Sequence, residues 1–402
     1  MLNVLLVSSK YMPEYSGSGF RAHNQYKRLC EKYPEISLKV LCGSETFNNI
    51  EDYEYDGLKV SRIAAKSLSL PGGGIMRRLA LLRNFQKEVS KVHSYLKNLT
   101  PQPDVIHIFG KNYVTSAVID FASKRNIPTI IELCNEMDSP YHFVPFPHRL
   151  WMETKFPPRS HIVAISEHLR DISLRGGVSG EKIWCRPNPV DEKKFFPVDE
   201  DTKMTMRKEL TKFSGDYKLV TYIAKYKKTK NQEFLVDVVK ALPEEYKLYL
   251  GGPIVDSGPK AKEDVAFYEK IVRRVKDEGL EQRVQVECGF VKNIDKFYQM
   301  ADVYGFPTTY EGLGTPMLES IACGTPVIGV LIPGITDVWI KDGENGFVAA
   351  KSAEDFAGKI VEAAGFSKEK RKNESLKILN IAGTNVIDME YYALLRKMAE
   401  SR

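Results

Sequence analysis

Short apolar runs, each followed by a stretch with helical periodicity, recur along this chain in two series. Alternation of this kind is typical of parallel sheets that carry helices on both faces. The sequence therefore predicts an α/β protein with two Rossmann-like domains. The first series consists of Asn3–Ser8, Leu38–Cys42, Val105–Phe109, Thr129–Leu133 and His161–Ile165, and the second of Leu219–Ala224, Lys247–Leu250, Val284–Glu287, Val303–Phe306 and Pro326–Val330.

The length of the chain fits this division. A chain of 402 residues exceeds one ordinary core and suits two domains of about 200 residues each. The segment Arg186–Asp191 contains two prolines that restrict the backbone, and a polar stretch at 199–216 precedes the second series. We place the boundary near residue 190, with domains at 1–190 and 191–402. The stretch from Val386 to Ala399 is predicted to be a terminal helix.

Composition narrows the class of protein. An apolar fraction of 43% and a charged fraction of 27% are ordinary for a soluble globular protein. The six cysteines contain no Cys-x-x-Cys pair, which favours reduced thiols over a disulfide framework or a zinc site. We expect no structural metal and no cofactor. The N-terminal apolar run covers only Val4–Val7, far short of a signal peptide or a membrane span, so a cytoplasmic protein is expected.

Two glutamates, Glu311 and Glu319, flank a Gly-x-Gly-Thr-Pro turn that opens a predicted helix. A threonine N-cap followed by proline suits a helix start, and the free amides of a first turn favour an anion such as a diphosphate. The two carboxylates can accept hydrogen bonds from paired hydroxyls. The pattern predicts a nucleotide-sugar site, although Glu319 complementing the helix dipole and Glu311 lying in a solvated loop would explain it equally. The donor-binding residues of this turn are Gly312, Leu313, Gly314, Thr315, Pro316 and Glu319.

Four consecutive motifs resemble the family 4 glycosyltransferases, which are retaining enzymes of the GT-B fold. The motifs are Ala301–Thr308, the Glu-x7-Glu segment, Gly324–Val327 and Asp342–Val348. The resemblance implies two Rossmann-like domains that face each other across a cleft, an acceptor domain first and a nucleotide-sugar donor domain second. The last helix would cross back to the first domain or stay an ordinary helix of the second.

The same resemblance implies a reaction. A hexosyl group would pass from a nucleotide-diphosphate sugar to an acceptor hydroxyl with retention, by a front-face mechanism, in glycolipid, polysaccharide or other glycoconjugate synthesis. Lys225 and Lys230 match the place of two cations that clamp the diphosphate, with Lys225 replacing the commoner arginine. The loop containing Gly17, Ser18 and Gly19 matches the family's glycine loop near the sugar phosphate.

One position departs from the family. Many members have a histidine after the strand equivalent to Thr129–Leu133, and this chain has Cys134 and Asn135 there. By offset one of these two takes the place, and neither carries the charge of an imidazolium. His107 is a possible substitute or a core residue. The catalytic candidates are therefore Glu311, Lys225, Lys230 and Asn135.

A basic segment suggests an anionic partner. Residues 59–97 contain nine lysines and arginines against the single acid Glu88. Within it, an amphipathic helix is predicted over 75–99. Its basic residues form either a solvated face or a contact with anionic headgroups or a lipid-diphosphate acceptor at the inner face of a membrane. These residues are Arg77, Arg78, Arg83, Lys87 and Lys91.

Two other classes of protein remain as alternatives. A sugar-nucleotide epimerase or a phosphorylase on the same architecture also needs an anion-binding helix. A nucleic-acid-binding protein is suggested only by the basic segment, which lacks interleaved stacking aromatics. The sequence leaves the donor base, the sugar and the acceptor open, because the fold does not specify the substrate.

Overall fold

A computed structural model of the chain describes residues 1–14, 16–44, 50–64, 75–133, 159–254 and 261–400, and within 75–85 it describes the backbone and the side chain of Arg83. The chain divides into two compact units. The first comprises Met1–Arg186 with Asp388–Arg402, and the second comprises Pro187–Ile387.

The first unit is built on an eight-stranded sheet of order β3-β4-β2-β1-β5-β6-β7-β8. Every pairing is parallel except the hairpin of β3 and β4. The strands are β1 (Leu2–Ser8), β2 (Ile36–Ser44), β3 (Glu51–Tyr55), β4 (Leu58–Ala64), β5 (Val105–Phe109), β6 (Thr129–Leu133), β7 (Ser160–Ala164) and β8 (Ile183–Cys185). The helices are α1 (Gly17–Lys32), α2 (Ile75–Lys97), α3 (Tyr113–Arg125) and α4 (Glu167–Arg175).

The second unit contains a six-stranded parallel sheet of order β11-β10-β9-β12-β13-β14. Its strands are β9 (Lys218–Ile223), β10 (Tyr246–Gly252), β11 (Val284–Cys288), β12 (Val303–Phe306), β13 (Val327–Val330) and β14 (Gly346–Ala349). Its helices are α5 (Glu200–Leu210), α6 (Gln232–Ala241), α7 (Ala261–Asp277), α8 (Ile294–Gln299), α9 (Thr315–Ala322), α10 (Thr336–Trp339), α11 (Ala353–Ala364) and α12 (Lys368–Ala382), and α13 (Thr384–Glu400) follows.

The strand order of the second unit defines where a ligand can bind. The chain builds outward from β9 to β11 in one direction and then from β12 to β14 in the other. The loops after β9 and β12 therefore diverge at the carboxyl ends of two neighbouring strands, which is the topological switch point where open α/β sheets bind their ligands.

The central strands of both sheets are buried. The residues Val4–Val7 of β1 are at most 2% exposed, and β12 is buried along its whole length. Continuous apolar runs of this kind are expected of parallel strands and not of strands with one solvated face. The expected fold class, an α/β protein with two parallel-sheet domains, is confirmed.

The hairpin of β3 and β4 was missed by the sequence analysis. Its two-residue turn, Asp56-Gly57, has positive φ at both positions, 49° and 78°. A turn of this type matches the right-handed twist of paired strands and favours an Asp-Gly dipeptide. The signal was therefore present in the sequence, but the flanking strands are short and polar.

The terminal helix α13 starts in the second unit, and from Asp388 onward it belongs to the first. Arg28 of α1 binds the Asp388 carboxylate with both Nε and Nη2, at 2.7 and 2.8 Å. The ring of Tyr392 stacks on Tyr33 with 3.8 Å between the centroids. The bidentate Arg28–Asp388 pair and the stacked Tyr33–Tyr392 pair fix the position of this helix within the first unit.

Among the described residues, none of the helices has the length and apolarity needed to cross a membrane. Nor do His, Cys, Asp and Glu side chains cluster there in a group that could hold a metal ion.

Candidate active site

Two loops meet at the switch point of the second unit. The loop after β9 runs through Lys225 to Lys230, and the loop after β12 runs from Pro307 to Gly314. The carbonyl of Thr229 accepts hydrogen bonds from the hydroxyl of Thr308 (3.1 Å) and the amide of Thr309 (3.0 Å). These bonds hold the two loops against each other, so side chains from both share one site.

Lys230 and Glu311 form a direct ion pair at this junction. Lys230 ends a single 3₁₀ turn, Lys228–Lys230, and its amide bonds the carbonyl of Lys227 at 2.8 Å. The next residue, Asn231, has a φ of 56° and turns the chain into α6. The side chains of Lys230 and Glu311 are 24% and 18% exposed, so the pair is partly shielded from water yet open to a ligand. The structure thus brings together two of the predicted catalytic residues.

Lys225 is not part of that pair. Its side chain is exposed and makes no ion pair with any described residue, while its carbonyl accepts a hydrogen bond from Gln232 at 2.9 Å. A flexible lysine without a partner can still reach a phosphate, because its four-carbon stem leaves the ammonium free to move. Of the two lysines predicted to clamp the diphosphate, Lys230 is therefore held in an ion pair, whereas Lys225 has no ion-pair partner among the described residues.

Buried aromatic rings support the base of the site. Tyr298 and Tyr304 are fully buried, and their rings meet edge to face with centroids 5.1 Å apart. Tyr222 and Phe306 are each 1% exposed. The ring of Tyr222 lies 5.8 Å from that of Tyr304. These rigid side chains give the loops a firm floor, because each aromatic ring has only two rotatable bonds.

The start of α9 differs from the sequence prediction. Thr315 was expected to be the N-cap, but Gly314 occupies that position with a φ of 77°, and Thr315 and Pro316 are the first helical residues. A Cβ on Gly314 would lie 2.5 Å from Met317 Cε and 3.1 Å from Phe306 Cζ. Glycine is required here because both the left-handed backbone and the close contact exclude a side chain.

The hydroxyl of Thr315 has another partner. It accepts a hydrogen bond from Asn188 Nδ2 at 2.9 Å. Asn188 lies in the proline-rich segment at the start of the second unit, and sequence reasoning did not assign it to the site. Next to this turn, Leu313 is 2% exposed and anchors it to the core, whereas Gly312 and Pro316 are half-buried.

Glu319 lies one turn further along α9 and is half-buried. Tyr298 donates a hydrogen bond from its hydroxyl to Glu319 Oε2 at 3.1 Å. Burial raises the pKa of Glu319 to about 7, and the Tyr298 hydroxyl and the Lys194 charge act in the opposite direction. Glu319 is therefore close to its protonation midpoint at neutral pH.

The glycine segment of the first unit is helical and not a loop. Gly17, Ser18 and Gly19 form the first turn of α1, capped by Ser16, whose hydroxyl accepts the Gly19 amide at 3.0 Å. A Cβ on Gly19 would lie 2.3 Å from the carbonyl oxygen of Lys10. The second glycine is thus explained by close packing of the helix start against the end of β1.

His107 is a core residue. It is fully buried, with Tyr26 Oη 2.7 Å from Nδ1 and Glu132 Oε1 3.1 Å from Nε2. Burial lowers the pKa of His107, which keeps the ring neutral. This arrangement favours the core interpretation over a catalytic one. Cys134 and Asn135 lie outside the described residues.

Glu132 joins the first unit to the terminal helix. It is fully buried and binds Arg21 (2.8 Å), Arg186 (3.3 Å) and the hydroxyl of Tyr391. Burial raises the pKa of this carboxyl, but the guanidinium groups of Arg186 and Arg21 outweigh burial and hold the pKa below its usual range.

Among the described side chains, only part of the predicted basic face on α2 is exposed without an ion-pair partner. Arg83 and Lys87 are exposed, whereas Lys91 pairs with Glu88 at 2.8 Å. Val92 and Leu96 are buried, as the predicted apolar stripe requires. The side chains of Arg77 and Arg78 lie outside the described residues.

Comparison with known proteins relates part of the chain to a family. Residues 204–374 match the family model of the glycosyl transferases group 1. This segment contains both loops of the switch point and the whole turn from Glu311 to Glu319. This part of the chain resembles the group 1 glycosyl transferases.

Relatives of this chain align over different parts of its length. It is 28% identical to mannosylfructose-phosphate synthase of Agrobacterium fabrum over 40% of this chain and 35% of that protein. It is 24% identical to alpha-monoglucosyldiacylglycerol synthase of Acholeplasma laidlawii over 71% and 73%, respectively. The match to N-acetyl-alpha-D-glucosaminyl L-malate synthase of Bacillus anthracis is 28%, over 40% and 38%. The chain thus spans well under half of the first and third of these relatives.

Solved structures resemble the whole chain. Anabaena HepE in complex with UDP and glucose has a TM-score of 0.70 at 16% identity, over 99% of this chain and 100% of that one. Sucrose-phosphate synthase from Thermosynechococcus elongatus has a TM-score of 0.74 at 17% identity, over the full length of both. At these identities the likeness concerns the fold, which is GT-B.

Proposed function

We propose that this protein is a glycosyl transferase that moves a hexosyl group from a nucleotide-diphosphate sugar to an acceptor hydroxyl, with retention at the anomeric carbon. The observation that carries the proposal is the Lys230–Glu311 pair at the switch point, beside the glycine turn that opens α9. A cation, a helix start and two carboxylates form the set of groups that a diphosphate and two diols require.

Each group then has a task. Lys230, with Lys225 reaching in from its exposed position, stabilises the negative charge of the departing diphosphate, and the first turn of α9 adds its dipole. Glu311 accepts hydrogen bonds from sugar hydroxyls and Glu319 from the ribose. Glu311 and Lys230 pair with each other, so donor binding would exchange one charge-assisted interaction for others at little cost in unpaired charge.

The proposed chemistry is a front-face displacement. The acceptor oxygen bonds to the anomeric carbon as the bond from that carbon to the diphosphate oxygen breaks. The proton of the acceptor passes to the leaving phosphate oxygen. Positioning and electrostatic stabilisation supply the catalysis, and no metal or cofactor takes part.

A ligand screen tests the proposal. Thermal shifts are measured with UDP-, GDP- and ADP-sugars, followed by slow hydrolysis of each donor and analysis of the products. A selective shift with release of the nucleoside diphosphate and the α-configured product supports retaining transfer. Interconversion of the sugar without release would instead favour an epimerase, and phosphate-dependent cleavage a phosphorylase. Absence of any shift and any hydrolysis would reject the assignment.

A lipid-linked acceptor is a second, finer proposal. The relative of Acholeplasma laidlawii that aligns over 71% of this chain is named for glycolipid synthesis. The exposed Arg83 and Lys87 on α2 offer two cations, and each basic residue near an anionic surface contributes about 1 kcal/mol. We propose peripheral attachment to the inner face of a membrane through this face.

Vesicle flotation tests that attachment. The wild type is expected to float with vesicles containing anionic lipid and not with neutral vesicles, and the Arg83→Glu/Lys87→Glu variant is expected to lose most of the binding. A matched control, Lys351→Glu/Lys372→Glu, changes the net charge equally at exposed positions of the second unit. Equal flotation of both variants, or no binding at low salt, would refute the proposal.

A further inference from the structure

Tyr298 makes a contact with the site that the proposed function does not use. Its side chain is fully buried near the end of α8. Its ring packs edge to face on Tyr304 and lies 6.0 Å from the ring of Phe195. Its carbonyl accepts a hydrogen bond from the hydroxyl of Thr325 at 2.7 Å. Ring and backbone are both held, so the position of the Tyr298 hydroxyl oxygen is fixed.

The hydroxyl of Tyr298 contacts Glu319. The Tyr298 hydroxyl donates to Oε2 at 3.1 Å, and no described residue donates to Oε1. Glu319 also has no ion-pair partner among the described residues. The neighbouring Lys194 pairs instead with Asp295, at 3.7 Å. One oxygen of this carboxylate is therefore fixed by the protein, and the other keeps its full capacity to accept hydrogen bonds.

We propose that Tyr298 is a positioning residue for nucleotide binding. By holding Oε2, it fixes the rotamer of Glu319 and presents Oε1 to the paired hydroxyls of the ribose. The inference rests on the proposed function, since it assumes that Glu319 meets a nucleotide. It adds a specific claim, which is that a buried hydroxyl without ligand contact determines how well that carboxylate binds.

The hydrogen bond also influences the protonation of Glu319. A donor favours the charged carboxylate, so its removal raises the pKa of Glu319 further. The other charged or titratable groups that face Glu319 are Lys194, Asp295, Tyr304 and Cys323. Burial raises the pKa of Tyr304 and Cys323 above their usual values, so neither titrates near neutral pH. Nucleotide affinity should therefore fall as pH drops through the pKa of Glu319.

The test measures the dissociation constants of UDP, GDP and ADP by calorimetry between pH 5.5 and 8.5. In Tyr298→Phe we expect affinity at neutral pH to fall roughly tenfold, as for a lost hydrogen bond to a charged group, and the midpoint of the pH profile to rise. Glu319→Gln is expected to lose the pH dependence due to this carboxyl. The titration of the phosphates is common to all variants and cancels in the comparison.

Tyr249→Phe is the matched control. Tyr249 is a buried tyrosine of the same unit, 5% exposed, that packs in a separate apolar cluster with Phe213 and Phe297. This variant should bind nucleotide like the wild type with an unshifted midpoint. Wild-type affinity and profile in Tyr298→Phe, or equal losses in both variants, would overturn the positioning role alone. Failure of the wild type to bind any of the three nucleotides would overturn the proposed function together with this inference.

Discussion

Lys230 and Glu311 pair with each other across the switch point of the second sheet, although 81 residues separate them in the chain. Each is delivered by the loop that follows one of two adjacent parallel strands, β9 and β12. The pair keeps both groups in place and avoids a partly buried unpaired charge.

Removal of the ammonium group should abolish most of the activity. In Lys230→Ala we expect turnover to fall by about 100-fold or more, the range found when one preorganised electrostatic group is lost, with the fold retained. The control is Lys228→Ala, which removes an exposed cation from the same turn. Initial rates with the donor identified by the ligand screen decide the matter. A Lys230→Ala enzyme with near-normal turnover would contradict the proposed clamp.

Substitution of Glu311 should affect interactions with the sugar, and substitution of Glu319 should affect binding of the nucleotide. Glu311→Gln is expected to reduce donor hydrolysis and transfer while the affinity for the free nucleoside diphosphate stays close to that of the wild type. Glu319→Gln should lower the affinity for the nucleoside diphosphate itself. Calorimetry with nucleotide and rate measurements with donor are made on both variants. Identical patterns in the two would show that the assignment of separate tasks is wrong.

A glycine-to-alanine change at the start of α9 should be costly. Gly314→Ala forces a side chain into a left-handed backbone and against Phe306, so we expect a loss of stability of about 1–2 kcal/mol and weaker nucleotide binding. Gly358→Ala, in the interior of α11 with no atom within 4 Å of the added Cβ, should instead be neutral or stabilise by up to about 1 kcal/mol. Urea unfolding of both variants provides the measurement. Equal stability of the two variants would contradict the stated need for glycine at 314.

Asp302 should link the second unit's stability to pH. Its carboxylate accepts bonds from Lys203 (2.8 Å), Arg207 (2.7 Å) and the amide of Leu219 (2.6 Å). Burial raises the pKa of Asp302, but Lys203 and Arg207 outweigh burial and the pKa lies below its usual value. Since the folded-state pKa is depressed, the stabilisation is present above the unfolded-state pKa, about 3.9, and is lost as pH falls through the folded-state value.

Two variants measure this effect. Asp302→Ala leaves Lys203 and Arg207 buried without their anion and should cost about 3–5 kcal/mol at pH 7. Asp277→Ala, at an exposed position at the end of α7, should stay within about 0.5 kcal/mol of the wild type. Urea midpoints are recorded from pH 7 down to pH 3. If the Asp302 variant lost no more stability at pH 7 than the Asp277 variant, the buried network would have no net stabilising role.

The sequence by itself determined the class of fold and the turn on which the candidate site is proposed. The period of the apolar runs reports local structure directly, so ten of the strands between Asn3 and Val330 and the helix predicted over 75–99 (observed as Ile75–Lys97) were predictable. The turn between Glu311 and Glu319 carries its own local signals, two glycines and a proline. The match of residues 204–374 to the glycosyl transferases group 1 agrees with the family predicted from these motifs.

Only the tertiary structure decided which side chains meet. Strand order brings Lys230 to Glu311, Tyr298 to Glu319 and Asn188 to Thr315. Neither the periodicity of the apolar residues nor the spacing of the motifs specifies which strands become neighbours in the sheet. The N-cap at Gly314 was missed for a related reason, because its left-handed backbone is required by packing against Phe306, a contact made only when β12 and α9 lie together. Local patterns specify the elements, and the free energy of burying them against one another selects the partners.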